Sequence, residues 1–284
     1  MPAPAPVKSL DGRLTMRDGK TIPQFGLGVY EMNDQEAYDS TRAALDAGYR
    51  HVDTAEWYEN EAPCGKAINQ WCKENNVPRS EIFLTSKLMH NKTYDRAYAD
   101  IKKSLKRAEV DSFDLYLMHS PIGGPQIRKN IWRALVDAKK EGLLKSIGVS
   151  NFGKKHIQEM IDQGVELPVV NQIDLHPFMR HPEIVEICEQ NNIILEAWGP
   201  LARAQRFDHP AILEVAKAKG RDAAQIFLRW GLQHGFVIIP KSVSAKRIAS
   251  NSQIFDFELN EDEMKELDGL DEYLVTDWDV VDVE

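Results

Sequence analysis

Four side chains able to move protons and hold charge stand just past three successive apolar runs: Asp53, Tyr58, Lys87 and His119. Asp53 closes the run in Gly48-Tyr49-Arg50-His51-Val52-Asp53-Thr54-Ala55, and Tyr58 follows in Glu56-Trp57-Tyr58. Lys87 follows Ile82-Phe83-Leu84-Thr85-Ser86, and His119 follows Leu115-Tyr116-Leu117-Met118. A carboxylate at the end of a buried strand needs a cation or a hydrogen bond, because an unpaired buried charge is costly. Lys87 is the candidate partner. An ammonium beside a phenol favours the phenolate, so Lys87 is expected to lower Tyr58 from its ordinary pKa near ~10. His119 can hydrogen-bond the same oxygen that Tyr58 protonates and so polarise a carbonyl. Taken singly, such a histidine is more often structural, the lysine a solvated loop charge, the tyrosine packing and the aspartate a turn cap. Their convergence on one rim favours chemistry. The set lacks a serine or cysteine nucleophile and a metal-ligand cluster, so a reductant must come from outside the chain.

Later runs carry a different chemistry. Ser150 and Asn151 follow one, Gln172 lies within another, and Trp198, Pro200 and Leu201 follow a third. Amide and hydroxyl groups can bind a carboxamide, and an indole offers a face to a flat ring. The last run is followed by Lys241, Ser242, Arg247 and Asn251 at the start of a predicted helix, a combination suited to phosphate. The chain is acidic overall, with a net charge of −9, so an anionic ligand needs such a local basic cluster. The same balance argues against nucleic acid or an anionic membrane as the main partner.

These residues need a repeated scaffold. Strands are expected at Phe25–Gly28, Tyr49–Asp53, Ile82–Ser86, Phe113–Met118, Ser146–Val149, Val169–Ile173, Ile193–Ala197 and Phe236–Ile239. Helical periodicity fills the intervals, and two helical stretches separate the last two strands. Gly142 and Asn260 mark a helix end and a helix start. Eight βα repeats predict an α/β fold, a (β/α)8 barrel with its site at the C-terminal ends of the strands. Leu14 to Pro23 reads as a hairpin around Asp18-Gly19 that closes the bottom of the barrel. No Gly-x-Gly-x-x-Gly follows a strand, which disfavours a doubly wound dinucleotide-binding sheet.

With 284 residues, 43% hydrophobic and 28% charged, the chain suits a single soluble domain, residues 1–12 being a flexible lead-in that begins Met-Pro-Ala-Pro-Ala-Pro. No stretch approaches the ~20 apolar residues of a membrane span, and no signal peptide opens it. Cys64, Cys72 and Cys188 are too few and too scattered for a disulfide framework. Asn91-Lys92-Thr93 is a chance glycosylation match in a chain expected to be cytoplasmic.

Over essentially its whole length the chain resembles the aldo-keto reductases, small fungal members above all. The resemblance rests on Gly48 to Ala55 with Tyr58 and Asn60-Glu61, then Thr85-Ser86-Lys87 and Leu115 to His119. Ile147 to Phe152, Asn171-Gln172 and Ile239-Pro240-Lys241-Ser242 complete it. It implies NADPH-dependent reduction of an aldehyde or ketone to an alcohol, without a metal, by a monomer, a dimer being the alternative. It assigns Tyr58 as general acid, Asp53 and Lys87 as its tuners, and His119 as the group orienting the carbonyl. Ser150, Asn151 and Gln172 would hold the nicotinamide amide, with Trp198 on its ring and Pro200 and Leu201 beside it. Lys241, Ser242 and Arg247 would grip the 2′-phosphate and Asn251 the adenine side. The chain departs from the family at Trp198, where Tyr or Phe is usual, and at Ser250, where Glu is frequent. Met89 and Ser120 replace frequent tryptophans, which implies a wider substrate pocket lined by Tyr30, Trp57 and Trp278. A regulatory module that binds cofactor but turns over little, and a phosphate-binding isomerase, are the competing readings.

Overall fold

A computed structural model describes residues 7–284; the lead-in Met1–Pro6 lies outside the described residues. Strand β1 (Arg13–Thr15) pairs antiparallel with β2 (Thr21–Pro23) around the expected turn, where Gly19 takes φ +82°. Eight strands follow: β3 (Leu27–Gly28), β4 (His51–Asp53), β5 (Phe83–Leu88), β6 (Phe113–Met118), β7 (Leu144–Ser150), β8 (Val170–Asp174), β9 (Ile194–Trp198) and β10 (Val237–Ile238). They form one sheet in chain order, each parallel to the next. All six residues of β5 and of β6 are buried, as strands covered on both faces must be.

The sheet closes on itself. Phe25 bridges Ile238 and Gly28 bridges Lys241, both parallel, and Gly26 N–H donates to the Ile238 carbonyl at 2.9 Å. A Cβ on Gly28 would stand 2.9 Å from the Ile239 carbonyl oxygen, so the seam requires glycine there. Because single bridges rather than a continuous ladder join this seam, β3 and β10 are shorter than the apolar runs that contain them.

Among the described residues ten helices surround the barrel: α1 (Asp34–Asp46), α2 (Glu61–Asn75), α3 (Tyr94–Ala108), α4 (Pro125–Lys140), α5 (Lys154–Asp162), α6 (Pro182–Gln190), α7 (Pro210–Lys219), α8 (Ala223–Gln233), α9 (Ala245–Asn251) and α10 (Glu261–Asp268). In α3, Ala97, Ile101, Leu105 and Ala108 recur at helical spacing and are the buried apolar face. Asn33, Asp222 and Asn260 cap α1, α8 and α10 in reciprocal capping boxes.

Leu14, Met16 and Ile22 of the hairpin pack against Phe83, Leu115, Leu117, Val169, Val170 and Val237. The hairpin therefore plugs the N-terminal end of the barrel, each buried apolar side chain contributing about 1.5–3 kcal/mol. Beyond α10 the tail returns to α5 and to the end of β8. Thr276 Oγ1 donates to Asp174 Oδ2 at 3.0 Å, and the His156 ring bonds the Val283 carbonyl at 2.7 Å. Cys64, Cys72 and Cys188 are free and buried. Among the described residues no helix is long and apolar enough to cross a membrane.

Candidate functional site

Asp53 is the last residue of β4, Lys87 the fifth of β5, and His119 directly follows β6. Tyr58 ends a single 3-10 turn, Glu56–Tyr58, which Glu59 terminates in the left-handed region at φ 57°. Buried Asn60 fixes this turn against the rim: its amide donates to the Val29 and Met32 carbonyls at 2.9 and 3.1 Å and accepts from Thr54 Oγ1 at 2.7 Å. The sequence thus delivers the four residues from neighbouring strand ends, as alternation predicts.

Their contacts are direct. Lys87 Nζ donates to Asp53 Oδ1 at 2.5 Å, to the Thr54 carbonyl at 3.1 Å and to Tyr58 Oη at 3.1 Å. Gln172 Nε2 donates to the other Asp53 oxygen at 2.8 Å. The Tyr58 and His119 rings meet edge to face at 5.5 Å. Lys87 has no exposed surface, so its charge is satisfied wholly by these partners.

Burial and charge set the protonation. Burial opposes the Lys87 ammonium, but Asp53 and Tyr58 outweigh it and leave the group above the ordinary lysine range. Burial raises the Asp53 carboxyl, while Lys87 and Gln172 pull it down. Tyr58 is pushed up to about 12, because burial exceeds the downward pull of Lys87. This corrects the expectation that Lys87 brings Tyr58 below its ordinary value. The phenol keeps its proton at neutral pH, and the ammonium limits how far burial raises it. Burial, with Lys87 second, holds His119 well below the usual histidine range. A neutral imidazole and a protonated phenol facing one space can both donate to a single oxygen.

Beside them lies the amide cluster. Asn151 sits at φ +60°, where asparagine is tolerated, and donates to the His119 carbonyl at 3.0 Å. Trp198 Nε1 donates to Asn151 Oδ1 at 2.8 Å, and Ser150 Oγ donates to the Gln172 carbonyl at 2.9 Å. Past Trp198, Pro200 and Leu201 lead into Ala202, Arg203 and Ala204, all at positive φ. Arg203 there pairs with Glu31 and, at 3.3 Å, with Asp277 of the tail.

The seam brings Lys241 to the same rim. Its Nζ donates to the Glu31 carbonyl at 3.3 Å. Arg247 Nε donates to Ser242 Oγ at 3.3 Å in the first turn of α9, whereas Asn251, expected at the helix start, is buried at its last position, because the helix begins after the Ser244 cap. Lys241, Ser242 and Arg247 are thus grouped, with both cations exposed.

Aromatic rings frame the mouth. Trp57 stands edge to face with His119 at 5.8 Å and with Trp278 at 5.6 Å, and Tyr30 lies 5.0 Å from Tyr58. Met89 is half-buried and its N–H donates to Glu56 Oε2 at 3.0 Å; Ser120 is fully buried. Lys92, within the chance sequon, bonds Glu56 at 2.9 Å and Asp100 at 2.6 Å, tying the Tyr58 turn to the loop after β5. No sequence pattern signals Lys92 or the Thr276–Asp174 bond. Glu196 inside Ile193-Ile194-Leu195-Glu196-Ala197 does carry a signal: a carboxyl in an apolar run must be buried.

Residues 23–272 match the Aldo/keto reductase family. The chain belongs to that family. This aldo-keto reductase is 41% identical over 264 residues to an uncharacterized oxidoreductase of Schizosaccharomyces pombe, covering 93% of this chain and 95% of the relative. It is likewise 41% identical over 264 residues to a glyoxal reductase of Bacillus subtilis, covering 92% and 94%. The solved structure of an aldo-keto reductase from a Medee basin deep-sea metagenome library superposes with a TM-score of 0.89 at 34% identity. That match covers 96% of this chain and all of the other.

Proposed function

We propose that this aldo-keto reductase is an NADPH-dependent carbonyl reductase that turns an aldehyde or ketone into an alcohol, with Tyr58 as proton donor. The observation that carries the reading is the pair of donors, Tyr58 and neutral His119, converging over the Asp53–Lys87 ion pair. The substrate oxygen accepts from both. As negative charge develops on that oxygen, Tyr58 passes its proton, and Lys87 at 3.1 Å stabilises the phenolate left behind. Asp53 keeps Lys87 in place and compensates its charge. NADPH, when bound, supplies the hydride that reduces the carbonyl carbon.

The donor set fits that cofactor. Asn151 bears an amide against His119, Gln172 one against Asp53, Ser150 a hydroxyl on the Gln172 carbonyl, and Trp198 offers a partly exposed indole. Exposed Lys241 and Arg247 with Ser242 suit a phosphate monoester, with Asn251 toward the adenine side and Pro200 and Leu201 along the way. Tyr30, Trp57, Met89, Ser120 and Trp278 are the substrate side of the reading. The three free, buried thiols suit the reducing cytoplasm, where we place a single-domain enzyme.

The test is consumption of NADPH against aldehydes, α-keto esters, diketones and sugars, with NADH in parallel. The relative named glyoxal reductase puts dicarbonyls first in that panel. Turnover with NADPH is the expected result. Tight NADPH binding without turnover on any member would instead assign the chain to cofactor-binding regulation.

A further inference from the structure

One layer below the reactive rim, the barrel interior holds a carboxyl that is not one of the four groups Asp53, Tyr58, Lys87 and His119. Glu196 is the third residue of β9, fully buried, and lies in register with Gln172 of β8 on one side and Val237 of β10 on the other. Neither of its oxygens has a hydrogen-bond partner among the described residues. A buried carboxyl left in this way is costly, which marks it as an unusual group to find in a packed barrel.

Among the described residues, the groups facing it leave no free counter-ion. From β4 come His51, whose Nε2 lies 3.7 Å from Glu196 Oε1, and Asp53. The same His51 nitrogen is 3.0 Å from Thr85 Oγ1 of β5, and burial, with Arg13 and Lys87 behind it, pushes the imidazole down to about 3. His51 is therefore neutral and cannot balance a glutamate. From β5 comes Lys87, already bonded to Asp53. From β8 comes Gln172, whose amide donates to Asp53. One ammonium thus serves two carboxyls in a site closed to water.

We propose that Glu196 is a positioning residue for carbonyl reduction: a second carboxyl beneath Asp53 whose charge state sets how firmly Lys87 and Tyr58 hold their protons. This rests on the reductase reading above. Burial and the charge of Asp53 raise Glu196 to about 8, against a weaker pull from Lys87, so it keeps its proton at neutral pH. With Glu196 protonated, the ammonium is balanced by Asp53 alone. When Glu196 ionises, a second negative charge enters the layer, and the protons on Lys87 and Tyr58 are held harder. Reduction, which needs the phenol, then persists to higher pH. Alcohol oxidation, which needs the phenolate, is held back over the same range.

The experiment compares wild type, Glu196→Gln and Glu196→Leu as NADPH-loaded enzymes across the alkaline range. Both variants remove the ionisation, one keeping shape and the other removing polarity. The expected result is that the alkaline limb of kcat for reduction moves down by on the order of one pH unit in both. Alcohol oxidation with NADP+ should rise several-fold at mildly alkaline pH. Infrared difference spectra between wild type and Glu196→Gln should show a protonated carboxyl at neutral pH that disappears near 8. Absence of that band, or a limb that ignores both substitutions in an active enzyme, would overturn this inference alone. Wild type that reduces no carbonyl would remove the reductase reading and this inference with it. A lowered thermal midpoint without a moved limb would make Glu196 merely structural.

Discussion

Lys87 Nζ stands 3.1 Å from Tyr58 Oη, yet the phenol lies above its ordinary range, at about 12. Burial therefore outweighs the ammonium, and in the proposed reduction the proton leaves only when a substrate oxygen is present to take it. On this geometry Tyr58→Phe leaves the pocket and the Asp53–Lys87 pair in place and removes only the transferable proton. Reduction should fall by about 10²–10⁴-fold while NADPH affinity, read by fluorescence titration, stays within about twofold. Parallel loss of both would make Tyr58 a structural residue.

Lys241 is exposed, and among the described residues its ammonium bonds Glu31 near the mouth, a contact it can exchange for a phosphate. Lys241→Met should raise KM for NADPH by on the order of tenfold, ~1.4 kcal/mol, and leave KM for NADH nearly unchanged. Steady-state kinetics with both cofactors decide it. An equal change in the two constants would place Lys241 away from the 2′-phosphate.

The barrel was legible because its strands are continuous apolar runs between helices of clear period, as in β5 and β6 with every residue buried. Asp53, Lys87 and His119 were legible because a polar side chain ending such a run adds nothing to the packing of the strand and must be satisfied by a partner. The seam was less so: bridges such as Phe25 to Ile238 join residues far apart in sequence, and no local pattern reports them. The direction of the Tyr58 shift depends on burial against one charge, a balance that spacing does not contain. Trp278 reaches the mouth through the bond from Thr276 to Asp174, 102 residues away. Lys92 reads as a loop charge in sequence because its partners, Glu56 and Asp100, lie on two other segments.

Lys92 is a mechanical link between the Tyr58 turn and the loop carrying Met89. Removing it leaves Glu56 without a cation in a half-buried site, while Asp100 keeps Arg96 and Lys103. Lys92→Met should lower stability by about 1–3 kcal/mol, a drop of roughly 3–10 °C in Tm for a chain of this size. Because Trp57 and Tyr58 adjoin Glu56, kcat should fall as well. Unchanged kinetics at full folding would show that the turn holds its shape without the link.

The tail presses on the start of α5 so closely that a Cβ on Gly153 would stand 2.0 Å from the Val281 carbonyl oxygen. Gly153→Ala should displace this segment and with it Trp278, which stands 5.6 Å from Trp57. The expected result is a rise in substrate KM on the order of tenfold with little change for NADPH. Digestion from the C-terminus should also become faster. If substrate KM does not respond, Trp278 is not part of the substrate wall.

Two buried groups pull the pH dependence of stability in opposite directions. His51 goes from an ordinary 6.5 to about 3 through burial, so the native state resists its protonation and stability declines as pH falls from 6.5 toward 3. Glu196 goes from an ordinary 4.5 to about 8, so the native state holds a proton that the unfolded chain releases. Stability then declines as pH rises from 4.5 toward 8. Replacing Glu196 with leucine removes the second penalty and leaves the first. Glu196→Leu should therefore gain on the order of 2–4 kcal/mol relative to wild type on going from pH 4.5 to pH 8, several degrees in Tm. Thermal denaturation at the two pH values measures it, and an equal change at both would mean that Glu196 is already ionised in the folded barrel.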